Sequence, residues 1–272
     1  MQSPPRLTDT TALTRNRARA MRLPDPALFL HAEARLEVQE RLALVNKAFT
    51  APAIVTGFPA FWADLLPNTV VVPETETLDL TPGAHDLVIH AMGLHWANDP
   101  VGQLVQCRRA LKPDGLFLGV LFGGQTLAEL RTALAEAEAA LTGGLSPRVA
   151  PMAEIRDLGA LLQRAGFALP VADNITQKVT YGSMKRLMHD LRAMGEVNAL
   201  SARSRKVPPR ALMQRAAEIY ALTWPASEGI SATFELVFLT GWAPHDAQQK
   251  PLRPGSATVR LADVLGTDES PV

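Results

Sequence analysis

Four short runs constrain this chain more than any other feature. Ala53–Thr56, Thr69–Val72, Asp86–Ala91 and Leu116–Leu121 are apolar almost without alternation, and the first two stop at Gly57 and Pro73. A strand with one wet face alternates polar and apolar residues, whereas a strand covered on both faces reads as one apolar run. The runs therefore predict a parallel sheet layered between helices. The intervening segments carry helix punctuation. Apolar residues spaced about 3.6 apart predict a helix over 27–48. Asn98 or Asp99 as N-cap, with Pro100 in the first turn, opens a second helix with Gly115 beyond its end. Thr126-Leu127-Ala128-Glu129 reads as a capping box opening a third, through Ala140, that ends at Gly143-Gly144. Helices are also expected over 153–165, from Ser183 to Met194, and from Pro208-Pro209 to about Leu222. Two later strands are expected at Ile175–Tyr181 and Thr233–Thr240. The fold class is thus α/β, with a helical insertion before the last strand.

Charge narrows the partners. The 272 residues hold 27 basic and 27 acidic side chains, a formal net charge of zero, which argues against nucleic acid because phosphate binding needs a surplus of Lys and Arg. The zero is unevenly built. Between Lys47 and Arg108 there is no basic residue, and 51–100 carries Asp64, Glu74, Glu76, Asp79, Asp86 and Asp99, a local charge of −6. Residues 1–22 lean the other way, with Arg6, Arg15, Arg17, Arg19 and Arg22 against Asp9. Such a start reads as a transit peptide, or as a solvated basic arm or first helix. No run approaches ~18 apolar residues, so no spanning helix is expected. The single Cys107 offers neither a disulfide nor a cysteine metal cluster; it falls on a helix and is expected to be buried and inert.

At His95-Trp96-Ala97-Asn98-Asp99-Pro100, followed by Arg109-Ala110-Leu111-Lys112-Pro113-Asp114-Gly115, the chain resembles the fourth and fifth strands of a class I methyltransferase dependent on S-adenosylmethionine (SAM). Further motifs are Ser146-Pro147-Arg148-Val149-Ala150-Pro151, Asp190-Leu191-Arg192-Ala193-Met194-Gly195 and Gly241-Trp242-Ala243-Pro244-His245 with Gln248-Gln249-Lys250-Pro251. These resemble one branch, the complex I assembly factor 5 family, related to the malonyl-carrier-protein methyltransferase of biotin synthesis. The resemblance covers about residues 84–266. It implies a Rossmann-like sheet, shortened in its first half, over 27–266, with a helical cap at about 183–224, a basic arm over 1–26 and a tail over 267–272. It also implies SAM as cofactor, if any, and a respiratory NADH dehydrogenase subunit as protein substrate or partner. The compartment would be cytoplasmic in a bacterium and the mitochondrial matrix in a eukaryote.

The first half departs from that family. Class I enzymes end the first strand with an acid and a glycine-rich turn, because glycine lets the backbone approach the cofactor. Here Val55-Thr56-Gly57-Phe58-Pro59-Ala60-Phe61 keeps one glycine, and Phe58 and Phe61 are expected to fill the place of the methionine part of SAM. Only 11 residues lie between Glu74, the candidate ribose-binding acid, and Asp86, too few for a helix and a third strand, although Leu78-Asp79-Leu80 could be a remnant strand.

Candidate cofactor contacts are Gly57, Glu74 and the loop Ala91, Met92, Gly93 and Leu94. Gly57 and Glu74 read equally as a turn and a loop acid. Asp86 flanks its strand and His90 reads as a core histidine. His95 and His245 are candidate bases, since a loop histidine titrates near ~6.5. Trp96, Arg148, Trp242, Gln248, Gln249 and Lys250 are candidate substrate or partner contacts. His90, His95, His245, Asp86 and Asp99 supply metal-ligand chemistry but no local ligand spacing such as H-x-D, so no metal is assigned. Two functions stand side by side: a methyltransferase-family protein acting on or holding a complex I subunit, and a non-catalytic assembly protein that has lost SAM.

Overall fold

A computed structural model describes residues 6–249 and residue 266. The chain runs through helices α1 (Thr10–Ala20) and α2 (Phe29–Leu44), strand β1 (Pro52–Thr56), a short α3 (Pro59–Trp62), β2 (Val70–Val72) and β3 (His85–Ala91). It continues as α4 (Pro100–Ala110), β4 (Leu111–Phe122), α5 (Ala128–Thr142), α6 (Ile155–Arg164) and β5 (Ala168–Tyr181). It ends as α7 (Met184–Ala193), α8 (Arg210–Thr223), a two-residue β6 (Pro225–Ala226) and β7 (Gly229–Trp242). The main sheet order is β2-β1-β3-β4-β7-β5, with β6 paired only to β7. Strands β1 to β4 run parallel, and β7 lies antiparallel between β4 and β5.

The apolar runs of β1, β3 and β4 are buried on both faces, as their composition dictates, whereas β2 at the sheet's edge leaves Val70 exposed. On one face Ile54, Leu87, Ile89 and Leu118 pack under α2, α5 and the cap helices. On the other, Ala53, Val88, Phe117 and Val237 pack under α4 and α6. Cys107, on α4, is fully buried there, and burial pushes its thiol far above the usual range. Asp86 caps the entry to β1 by accepting from the Thr50 and Ala51 amides. The parallel strands all end on one side, where open α/β sheets place their ligands.

Four expectations are corrected. Leu78-Asp79-Leu80 forms no strand: residues 73–84 cross from β2 to β3 without helix or strand, Leu78 being tied down by its amide to the Gln106 side chain. The basic start is no solvated arm, because from Thr10 it is a helix that buries Ala12, Leu13, Asn16, Arg17 and Ala20. The capping box does not form. Leu127 takes φ 55° ahead of α5, the Thr126 hydroxyl bonds to Gly123 and Glu235 carbonyls, and Glu129 turns to Thr233. The strand read as Ile175–Tyr181 starts at Ala168, and the one read as Thr233–Thr240 spans Gly229–Trp242. Among the described residues no helix is long and apolar enough to cross a membrane. Lys250 and the tail from 267 lie outside the described residues.

Phe117 is fully buried and stacks against Phe167 at 4.9 Å between ring centroids. Phe117→Ala is expected to destabilise by about 3–5 kcal/mol, read as a lower urea midpoint at unchanged slope.

Candidate functional site

The loops after β1, β2 and β3 meet at the C-terminal edge of the sheet, and α1 is laid across them. Helix α1 is fixed there by its sequence. Asp9 caps it by accepting from the Ala12 amide and also pairs with Arg203, while Thr8 bridges to Leu200 and Asn16 donates to the Val197 carbonyl. The helical spacing 12, 13, 16, 17, 20 turns one face inward, and Arg17 stands on that face, 4 % exposed.

The Arg17 guanidinium fills the glycine turn. It pairs with Glu74, lies 3.7 Å from Glu196, donates to the Met92 carbonyl and sits 5.6 Å from the Phe58 ring centre. A Cβ added to Gly57 would overlap the guanidinium, one added to Gly93 would overlap Glu74, and one added to Gly195 (φ 81°) would press on Arg17 and Phe58. Gly57 and Gly93 thus provide space, but the chain's own ion pair uses it. Desolvation lowers the Arg17 pKa, and Glu196 opposes that loss.

Glu196 organises the second half of the site. Its carboxylate accepts from Trp96 Nε1 at 2.7 Å and lies 3.2 Å from His95 Nε2. Burial disfavours its charge, but His95, Arg17 and Trp96 together hold its pKa down at about 2. Below the loop, His90 Nε2 meets Gln103 Oε1 at 2.7 Å, and burial lowers the His90 pKa to about 4. His31 accepts from Trp62 Nε1 and stacks on Phe58, with its pKa lowered by burial to about 3. Buried polar atoms without a hydrogen-bond partner gather here: Arg17 Nε and Nη1, Glu74 Oε2, His90 Nδ1, His95 Nδ1 and Glu196 Oε1. A cleft of about 1530 Å³ opens beside them, between α1 and the 73–77 loop.

The candidates divide between the two ends of the sheet. Gly57, Glu74, Ala91, Met92, Gly93, Leu94, His95 and Trp96 are gathered at the C-terminal edge. Trp242 pairs instead with Leu116, where β4 enters the sheet proper. The strand from there to Phe122 separates it from the cleft by about 20 Å at ~3.3 Å per residue. The same end holds His245, exposed, and Gln248, which donates to Asp114 Oδ1 at 3.0 Å, with exposed Gln249 beside a shallow groove. The two candidate bases, His95 and His245, therefore lie at opposite ends of the sheet. Arg148 grips a carboxylate of the chain itself through two donors: the carboxylate is Glu138, whose pKa this holds at about 2. Phe58 and Phe61 do not fill the cofactor place. Phe58 is fully buried beneath α2, and Phe61 packs against His31 and Trp62. Among the described residues no three His, Cys, Asp or Glu side chains converge as a metal ion needs.

Sequence reasoning missed Arg17 and Glu196. A charged residue on an otherwise small and apolar helix stripe was the available signal for Arg17. Glu196 gave none, since its partners lie about a hundred positions away or more.

These residues do not fit SAM as the family holds it. The ribose acid is engaged by Arg17, the glycine turn is filled by the same group, and the segment that would wall the adenine is missing over 73–84.

Residues 43–119 match the family described as a methyltransferase domain. The arginine-hydroxylase NDUFAF5, mitochondrial, of Danio rerio is 40 % identical over 73 % of this chain and 62 % of its own length. The malonyl-[acyl-carrier protein] O-methyltransferase of Laribacter hongkongensis is 33 % identical over 68 % of this chain and 60 % of its own. The chain thus spans less than two thirds of the length of these curated relatives. The YcgJ protein of Bacillus subtilis superposes with a TM-score of 0.48 at 13 % identity, over 78 % of this chain and 99 % of that one.

His31 and His90 make the fold acid-sensitive. Both titrate below the usual 6.5, so the unfolded chain binds protons first, and their contribution is present above pH 6.5 and is lost as pH falls toward 4. The urea-unfolding free energy is expected to drop over that window, by up to about 1.4 kcal/mol per pH unit per histidine, and His90→Gln to remove about one proton of uptake at about pH 5.

Proposed function

We propose that this chain, a member of the class I methyltransferase superfamily on its NDUFAF5-like branch, is a protein-binding assembly factor whose cofactor place is closed by its own Arg17. The one observation that carries this reading is the buried Arg17–Glu74 pair lying over Gly57. SAM brings a positive sulfonium and a ribose diol, and both would have to displace a guanidinium already held by two carboxylates. A buried pair broken on one side leaves an uncompensated charge, which costs several kcal/mol. The partner class we propose follows the resemblance of the sequence motifs: a subunit of respiratory NADH dehydrogenase, met in the cytoplasm of a bacterium or the matrix of a mitochondrion. In this reading His95 and Trp96 orient Glu196 and are positioning residues.

A second reading draws on the same geometry. The relative's name denotes chemistry on arginine, and the site of this chain holds a guanidinium between Glu74 and Glu196, against Met92 and the Phe58 ring. An arginine on a partner segment would then take the place of Arg17 after α1 withdraws.

Calorimetry separates these readings from ordinary methyl transfer. The wild-type protein is expected to give no heat with SAM or S-adenosylhomocysteine at about 1 mM and no shift in melting temperature. A micromolar Kd lost on Glu74→Ala would overturn the closed-site reading. For the second reading, Arg17→Ala is expected to bind N-acetyl-arginine amide and the wild type not to bind it; equal silence from both proteins rejects it.

A further inference from the structure

Helix α1 lines the cleft, helix α7 packs beside α1, and each presents a basic stripe. On α1 and the turn after it the stripe is Arg15, Arg19 and Arg22; on α7 it is Lys185, His189 and Arg192. Both follow the spacing i, i+4, i+7, which lines side chains along one helix face. All are exposed except Arg19, which is half-buried. The stripes adjoin. Arg19 loses proton affinity to desolvation first and then to the nearby charges of Arg192 and Arg15. Among the described residues none of these Arg and Lys side chains reaches a carboxylate within 4.0 Å, whereas Arg203 and Arg205 just beyond are spoken for by Asp9. Two methionines, Met21 and Met188, stand 36 % and 38 % exposed among them. A fold with zero net charge has gathered unneutralised like charges at one place, where their mutual repulsion is a standing cost.

We propose that this α1/α7 rim docks an acidic segment of a protein partner and steers it onto the cleft; the inference rests on the partner-binding reading above. Charge complementarity selects an acidic ligand, and the facing wall limits its kind. Across the cleft Glu74 is already paired with Arg17 and Glu76 lies 3.6 Å from Arg6, in a stretch without a single base, so a long uniform polyanion such as a nucleic acid would find no further free cations beyond the rim. An anionic membrane is poorly matched as well, because insertion needs a band of apolar side chains and the rim offers two methionines. A polypeptide changes character along its length. It can place carboxylates against Arg15, Arg22, Lys185 and Arg192 and neutral residues beyond the rim.

The probe is a fluorescein-labelled peptide of about twenty residues, half Glu and Asp and half Gly and Ser, followed by anisotropy. Binding is expected at low salt and should weaken at least about tenfold between roughly 20 and 200 mM NaCl, as screened contacts do. The rim variant Arg15→Glu/Arg22→Glu/Arg192→Glu should lose at least about tenfold. A control with the same charge change on the α4 and α6 side, Arg109→Glu/Arg156→Glu/Arg164→Glu, should keep wild-type affinity. If the rim triple melts early, Lys185→Glu/Arg192→Glu on α7 alone is expected to reproduce the loss. The proposal is overturned by absence of peptide binding, by equal loss in rim and control variants, or by tighter binding to phosphatidylglycerol-containing vesicles or to a single-stranded oligonucleotide. S-adenosylhomocysteine does not read the rim, so a failure here leaves the closed cofactor place standing, and the converse also holds.

Discussion

The buried guanidinium of Arg17 is the constraint on which the site depends. An arginine carried out of water needs counter-charges in fixed positions, and here Glu74 supplies one from the loop after β2 while Glu196 supplies another from the loop after α7. Those two loops are far apart in sequence and are brought together by what lies between them. Gly57, Gly93 and Gly195 leave the room that the ion pairs and the helix crossing require. His95 and Trp96 meet the rest of the Glu196 carboxylate, so that its charge survives burial. Removing Arg17 would leave two buried carboxylates facing each other, and removing either carboxylate would strand a cation. The three residues therefore fold as a unit, and α1 belongs to the body of the protein on their account.

The same constraint bears on the crevice itself. The crevice at the C-terminal edge of an open α/β sheet exists because strand order and crossover handedness create it, whatever chemistry it serves. Here the turn after β1 keeps one glycine and no helix crosses 73–84, which leaves polar groups at the bottom of that crevice. They must be satisfied from within or remain costly. A single helix carrying one arginine does most of that, and Glu74, placed where a ribose acid would stand, becomes a structural counter-ion. The unpartnered atoms that remain, among them His90 Nδ1 and His95 Nδ1, mark where the substitution is incomplete.

Much of the architecture was legible because its cause is local. Unbroken apolar runs gave the strands of the two-faced sheet, Asp99 with Pro100 opened α4 as read, and Ser183 caps α7. The short 74–86 spacing correctly announced a missing helix. The site was legible only in part. Glu74 and the 91–96 loop were read from their place after strands, which is a local signal. Arg17 and Glu196 matter only through long-range pairing, and pattern reasoning treats a basic residue near a terminus as solvated. The failed capping box has the same origin: Thr126 and Glu129 were taken by β7, a partner more than a hundred positions away. The C-terminal loop was read as a ligand or partner surface from its residue types, and only the antiparallel run of β7 shows that it lies at the far end of the sheet from the cofactor candidates.

Trimming a sheet of its outermost strand creates a new margin, and a margin with free backbone groups recruits other chains. In this fold the new margin is β2, only Val70–Val72, with β1 behind it. Three residues give too few free amides and carbonyls to template a foreign strand, and Pro73 closes the run. The shortened half of the sheet therefore offers an incoming strand little to pair with. A sheet with so short a margin on this side leaves its binding surface to the helices above it.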